Sequence, residues 1–351
     1  MDYCYRFPVV KGVQAGNDYY IGMVPLRMLM RLFPNDEEYV LPEYRAQRKL
    51  NESRIPDIKN YILNNKKTYV FSALAASIDG EHSFVSSGDE NTGILEVSLD
   101  AKLLMNDGQH RKAAIIAALD EAPELGAETI SVVFFADQGL KRSQQMFTDL
   151  NKHAVKTSNS IAELYDSRDP LAVITRDVVS QIPFLDEYVD KERDMLGKYS
   201  SSLFTLNTFY NANKRILSRG KCDSEFAAFL LEFWNGVVVH MVPWNEMIQK
   251  EISKIDLREK YVATQAIIIQ AFGRVGACLK NRAKVDLCCI NKIRNINWKR
   301  SSEEWKLRVI QNNGRIMNSE TAICLAANYI KQVIGLKLSE EEIVLEEKIK
   351  N

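Results

Sequence analysis

The chain has 351 residues, 46% of them apolar and 26% charged, which suits one or two folded domains and excludes a disordered or low-complexity chain. Its 46 basic residues balance 46 acidic ones, which excludes a uniformly basic nucleic-acid binder, although neutrality can average over segments of opposite sign. Six scattered cysteines with no C-x-x-C pair exclude a secreted disulfide scaffold. No run approaches the ~18 apolar residues of a membrane span, and Met1-Asp2-Tyr3 lacks the start of a secretion signal. The expectation is a cytoplasmic protein with reduced thiols and no membrane partner.

In chain order, Tyr5, Phe7 and Val9, then Tyr19, Ile21 and Met23, alternate as two half-buried strands around a turn at Gly16-Asn17-Asp18. Residues 25–32 and 45–64 carry helical spacing, the second with Arg48, Lys49 and Arg54 near its apolar face. Residues 69–78 predict a strand ending at the Asp79-Gly80 turn, and 88–93 a polar loop. Residues 94–99 and 102–105 read as a hairpin or two adjacent strands. Residues 129–136 are apolar enough for a strand buried on both faces, and 141–151 predict a helix with Met146, Phe147 and Leu150 inward.

From Ile161 onward the periodicity is helical almost throughout, over 171–182, 203–217, 224–239, 247–255, 261–279, 303–309 and 319–334. Ser224 reads as an N-cap with Asp223 beside it, and Gly335 as a stop. The expected class is therefore α+β, with a mixed domain over 1–159 and an all-helical domain over 160–351.

The most specific stretch is Asp107-Gly108-Gln109-His110-Arg111, between a strand reading over 101–106 and an apolar helical run over 113–119. Asp107 suits a helix N-cap, and Gly108 permits close backbone approach. His110 and Arg111 then fall in the first turn, where the helix dipole disfavours cations, so their presence asks for an anion such as phosphate or a nucleotide. The plainer alternative is that Arg111 reaches a carboxylate across the domain and His110 is a satisfied polar residue. Gln109 would read a base or ribose edge, or merely close the turn. Asp107 could instead be a general base or metal ligand, but only Asp100, Asp120 and Glu121 lie near it in sequence, and no G-x-x-x-x-G-K-[ST] loop occurs.

A second candidate is the basic stretch Lys280, Arg282, Lys284, Lys292, Arg294, Lys299 and Arg300, which contains one acid, Asp286. With Trp298 and Trp305 close by it has the content of a nucleic-acid surface, although Trp298 suits a core position better than a stacking platform. The tail over 340–347 is acidic, and Cys288-Cys289 reads as small buried hydrophobes.

The string Asp107 to Arg111, continuing as Lys112-Ala113-Ala114, spells the motif of the DGQHR-domain family. That family resembles the ParB and sulfiredoxin fold, whose phosphate-contacting motif also sets Gly and Arg at a strand-to-helix junction. Within it the chain resembles the DndB family of bacterial DNA phosphorothioate modification systems. The resemblance is carried by Arg54-Ile55, by Tyr69-Val70-Phe71-Ser72-Ala73-Leu74 and by Ser77-Ile78-Asp79-Gly80-Glu81. It continues in Phe147-Thr148-Asp149-Leu150-Asn151 with Lys156, in Ile296-Asn297-Trp298 and in Gly314-Arg315-Ile316.

The resemblance implies a ParB-like first domain and a DNA-binding repressor of the modification gene cluster. The expected site is Asp107, Gly108, Gln109, His110 and Arg111 with Arg54, Asn151 and Lys156, joined by Arg294, Lys299 and Arg300. Expected partners are double-stranded DNA of its own operon promoter, other proteins of the sulfur modification machinery, and a second copy in a homodimer. No cofactor is expected. The alternative is a ParB-like enzyme that hydrolyses a nucleotide with Mg2+ or nicks DNA at the same motif.

Overall fold

The structure is a computed structural model that describes residues 3–34, 52–136, 157–197, 199–281 and 287–350. The chain divides into two compact units, Met1–Val155 and Lys156–Asn351. The fold is α+β, with a mixed sheet in the first unit and helices dominating the second.

In the first unit, β1 (Cys4–Gln14) and β2 (Asn17–Pro25) form a hairpin whose turn holds Ala15 and Gly16 at positive φ. β3 (Leu74–Asp79), β4 (His82–Asp89), β5 (Thr92–Ser98), β6 (Lys102–Asp107) and β7 (Thr129–Ala136) complete a sheet of order β4-β5-β1-β2-β7-β3-β6. The β3–β7 pair is parallel and the other pairs are antiparallel. Residues 94–99 and 102–105 are indeed strands, but not partners: β5 lies between β4 and β1, whereas β6 pairs with β3 at the end of the order. Residues 88–93 are not an extended loop but the tip of the β4–β5 hairpin.

That order constrains the shape of the sheet. Five strand spacings of about 4.8 Å would part β5 from β6 by about 24 Å in a flat sheet, yet residues 99–101 bridge them and reach at most about 14 Å. The sheet must curl. The β3–β4 link runs beside the β5–β6 link, with Ser98 N donating to Glu81 O at 3.0 Å and Gly80 packed against Ala101. The inner face is the core, with Val24, Leu74, Ile78, Leu95, Val97, Val132 and Phe134 buried. In β7 only alternate residues are buried, Ile130, Val132 and Phe134, while Val133 and Phe135 are half-buried, so the expectation of burial on both faces is corrected.

Three helices accompany this sheet among the described residues: α1 (Leu29–Leu32), α2 (Ile55–Asn64) and α3 (Gln109–Leu119). α2 packs on α3, and the ion pairs Lys59–Glu121 and Lys66–Glu124 join α2 and the residues just after it to the segment that follows α3. The helix expected over 141–151 lies outside the described residues.

The second unit runs through α4 (Asn159–Tyr165), α5 (Pro170–Gln181), α6 (Pro183–Tyr188), α7 (Leu206–Leu217), α8 (Ser224–His240), α9 (Val242–Ile248), α10 (Lys254–Lys260), α11 (Ala266–Lys280), α12 (Glu320–Ile334) and α13 (Glu340–Lys350). Its only described strands are the two-residue parallel pair β8 (Val189–Asp190) and β9 (Phe204–Thr205). Asp223, not Ser224, caps α8 by accepting from Phe226 N at 2.9 Å. The single helix expected over 247–255 is divided between α9 and α10, with Lys250 at positive φ between them. Over 303–309, where a helix was expected, the only helical turn is a 3-10 turn at Glu303–Trp305. Ser319 caps α12 and Gly335 ends it in the left-handed conformation.

An unbroken series of ring contacts passes from Phe184 through Trp244, Phe204, Phe209, Trp234, Phe272 and Trp298 to Trp305. The buried indole of Trp234 is satisfied by Asn213 Oδ1 at 2.8 Å, and Asn213 donates in turn to Thr175 Oγ1 at 3.0 Å. The acidic tail is α13, and it docks: Glu342 pairs with Lys331 at 2.6 Å and Glu346 pairs with Arg308. No single helix among the described residues is long and apolar enough to cross a membrane.

Glu163 on α4 is a group the fold holds at a cost. Its Oε2 is buried without a hydrogen-bond partner. Burial, then the charges of Asp194 and Asp169, push its pKa up to about 8. A carboxyl raised in the folded chain stays protonated where the unfolded one ionises, so its contribution is full at acid pH and is lost as pH rises from about 4.5 to about 8. Urea unfolding should therefore show Glu163→Gln matching the parent at about pH 4 and exceeding it at about pH 8.5.

Candidate functional site

The Asp107–Arg111 junction sits where β6 turns into α3. β6 carries a bulge there: Met105 faces Ala76 and Asp107 faces Ala75, leaving Asn106 as the extra residue. Asn106 is fully buried and donates from Nδ2 to Ser77 Oγ at 2.6 Å. Gly108 follows with φ 105°, and its carbonyl accepts from Lys112 N at 2.8 Å to open the helix. A Cβ on Gly108 would lie 2.3 Å from Leu74 Cδ2. Glycine is thus required twice, by backbone conformation and by space.

The N-cap of α3 is Gly108, and no side chain caps the helix, which corrects the role expected for Asp107. Asp107 is still in the ladder opposite Ala75, so its carboxylate does not fold back over the first turn. It accepts instead from Arg111 Nη2 at 2.6 Å. Arg111 Nη1 donates to Ser72 O at 2.6 Å, Ser72 Oγ at 2.6 Å and Ala73 O at 3.0 Å. Arg111 is thus engaged within the chain, as the plainer alternative held, but its carboxylate is the neighbouring Asp107 and the groups it reaches across the unit are those of Ser72 and Ala73. Its side chain is only 17% exposed and its donors face the chain itself. The clamp also explains why the strand expected over 69–78 begins only at Leu74: the carbonyls of Ser72 and Ala73 face a guanidinium and not a neighbouring strand.

Lys112, the next residue, is buried and donates from Nζ to Phe33 O at 2.8 Å, tying α3 to the end of α1. Burial lowers its pKa. Gln109 and His110 are half-buried, and Gln109 Nε2 has no hydrogen-bond partner. Sequence reasoning passed over Ser72, Ala73 and Lys112.

Arg54 is exposed at the N-terminal end of α2, the helix packed on α3. Asn151 and Lys156 lie outside the described residues. Asp120 and Glu121 follow the far end of α3, about 16 Å along the helix from the junction, and Glu121 is paired with Lys59. No group of three or more His, Cys, Asp or Glu side chains able to hold a metal occurs among the described residues.

Arg282 and Lys284 of the basic stretch lie outside the described residues, and among the described ones the stretch is not one patch. Lys280 lies 4.5 Å over the ring of Phe226, near the start of α8, whereas Arg294 Nη2 donates to His240 Nδ1 at 2.8 Å, at its end. Fourteen helical residues part the two contacts, about 20 Å. Burial and then the Arg294 charge lower the pKa of His240, consistent with a neutral acceptor. Arg294 and Lys299 are exposed, while Arg300 is half-buried, donates to Glu259 O at 3.1 Å and has its pKa lowered by burial. Trp298 is a core residue, as the plainer reading held, and Trp305 is buried as well. No disulfide joins the described cysteines, and Cys288 is exposed, against the expectation of burial.

Fold and site define a two-unit protein whose curled mixed sheet carries a D-G-Q-H-R strand-to-helix junction, followed by a helical unit. The chain belongs to the DndB family, described as DNA-sulfur modification-associated, whose sequence model matches residues 7–337. Comparison with curated proteins and with solved structures found no match.

Two substitutions check the junction as a structural clamp. Arg111→Ala should lower unfolding free energy by about 2–4 kcal/mol with no ligand present, and Arg111→Lys should recover little of it, since an ammonium cannot reproduce the fork. Gly108→Ala should cost about 2–4 kcal/mol through φ and the Leu74 contact. Both are read by urea unfolding; an Arg111→Ala protein of parental stability would remove the clamp.

Proposed function

We propose that this protein is a DNA-binding regulator, a repressor of the gene cluster for DNA phosphorothioate modification. The observation that carries the reading is the family match over nearly the whole chain, which associates it with DNA sulfur modification. The partner is double-stranded DNA at the promoter of its own operon. Phosphate contacts supply most of the affinity and a smaller number of base contacts choose the operator. Because Arg111 is engaged within the chain, the cations offered to DNA are the exposed ones, Arg54, Arg294 and Lys299, and the junction positions what surrounds it. A homodimer would match a palindromic operator.

The reading is tested by gel retardation on the upstream DNA of the cluster across a salt series. Retention should be sequence-specific and fall steeply with salt. Arg294→Glu with Lys299→Glu should weaken it at least roughly tenfold and reduce the slope of log K against log salt by about 2. Absence of retention at low salt, together with magnesium-dependent triphosphate hydrolysis, would replace the regulator with an enzyme.

A further inference from the structure

The helical unit contains a cleft of about 460 Å3 between the C-terminal ends of α7 and α11 and the flank of α12. Its polar wall is Lys214, Arg215, Ser218, Arg274, Asn281 and Lys331, with no carboxylate among the described lining residues. Cations in the last turns of α7 and α11 complement the helix dipoles, which accounts for Lys214, Arg215 and Lys280. It does not account for Arg274, which lies in the middle of α11.

The ion pairs behind this wall are unevenly shared. Arg215 is fully engaged, with Nε on Gln270 Oε1 at 2.7 Å and its fork on both oxygens of Glu320 at 2.7 and 2.8 Å. Lys331 holds Glu342 Oε1 at 2.6 Å. Arg274 takes what remains: Nη1 is 3.3 Å from the Glu320 oxygen already held by Arg215, and Nη2 is 3.9 Å from the Glu342 oxygen already held by Lys331. Its Nε is buried without a partner. A guanidinium has five donors, and here a half-buried one has a single weak hydrogen bond, so it is the unsatisfied cation of the cluster.

Further observations fall at the same place. Lys214 is exposed, with no side-chain ion pair among the described residues. Ser218, which follows α7, is held at φ 51° and ψ −112°, a strained conformation for a residue with a Cβ. Arg219 and Lys221 extend the same exposed turn. Four cations of the wall face two carboxylates behind it, which leaves two positive charges.

We propose that this cleft binds a phosphate group, with Arg274 as its bidentate ligand, Lys214 as the second cation, and the Ser218 hydroxyl and Asn281 amide as neutral donors. An excess of two charges matches a phosphate monoester, and the volume is within the range of sites that take a nucleotide. The same chemistry would seat a phosphate of a DNA backbone. The site is independent of the regulator reading.

Calorimetry of the full chain with inorganic phosphate and with ATP, and fluorescence anisotropy with a short duplex of arbitrary sequence, test it at constant ionic strength. At least one probe should bind. Arg274→Gln and, separately, Lys214→Glu should each weaken that binding at least roughly fivefold, while Lys306→Glu, outside the cleft, should not. Losses with phosphate or ATP identify a small phosphorylated ligand; losses confined to the duplex identify backbone phosphate. Lys214 is exposed, so its replacement leaves folding intact, and an unfolding midpoint for each variant verifies this. Binding of none of the probes, parental affinity in either cleft variant, or an equal loss in Lys306→Glu overturns the proposal. Operator recognition plays no part in these measurements, so the regulator reading can fail while the cleft stands, and the reverse.

Discussion

The first unit depends on one guanidinium. Arg111 gathers the carbonyls of Ser72 and Ala73, the Ser72 hydroxyl and the Asp107 carboxylate, and so joins the segment entering β3 to the residue leaving β6. Without it, two carbonyls beside the sheet would lack a donor and the β6–α3 turn would lose its brace. The arrangement also answers the electrostatic problem posed by cations at a helix start. Arg111 is neutralised by the acid four residues before it, and Lys112 reaches past the first turn to the carbonyl of Phe33. The helix therefore tolerates these charges with partners drawn from its own chain.

That brace lies on a sheet whose connections force it to curl. Two short links, β3 to β4 and β5 to β6, run side by side and join strands that the pairing order holds far apart. β6 ends the order, so the junction stands at a margin of the sheet and not beneath neighbouring strands. The bulge at Asn106 changes the phase of the strand just before it, and this turns Asp107 toward Arg111.

In the helical unit the charges obey a different logic. Its aromatic series supplies the core, and several basic residues serve internal ends: Arg308 and Lys331 hold the acidic last helix, and Arg300 lies against the end of α10. Among the described exposed cations, Arg294 donates to Asn291 O and His240 Nδ1, whereas Lys214 lies beside Arg274 in the cleft.

Local pattern by itself determined a good deal here. Alternation in β1 and β2 and the period of α5, α8 and α12 were legible because each of these elements buries one face against a core. The D-G-Q-H-R string marked both the junction and the family, since only glycine fits at φ 105° against Leu74. Tertiary structure alone decided the rest. The partners of Arg111 are Ser72 and Ala73, nearly forty residues away, and no spacing rule connects them. Adjacent strands 94–99 and 102–105 looked like partners because a short link usually makes a hairpin, and only the curl of the sheet sends β6 to β3. Likewise a basic run that is continuous in sequence is parted by the length of α8, because packing, and not proximity along the chain, sets where side chains emerge.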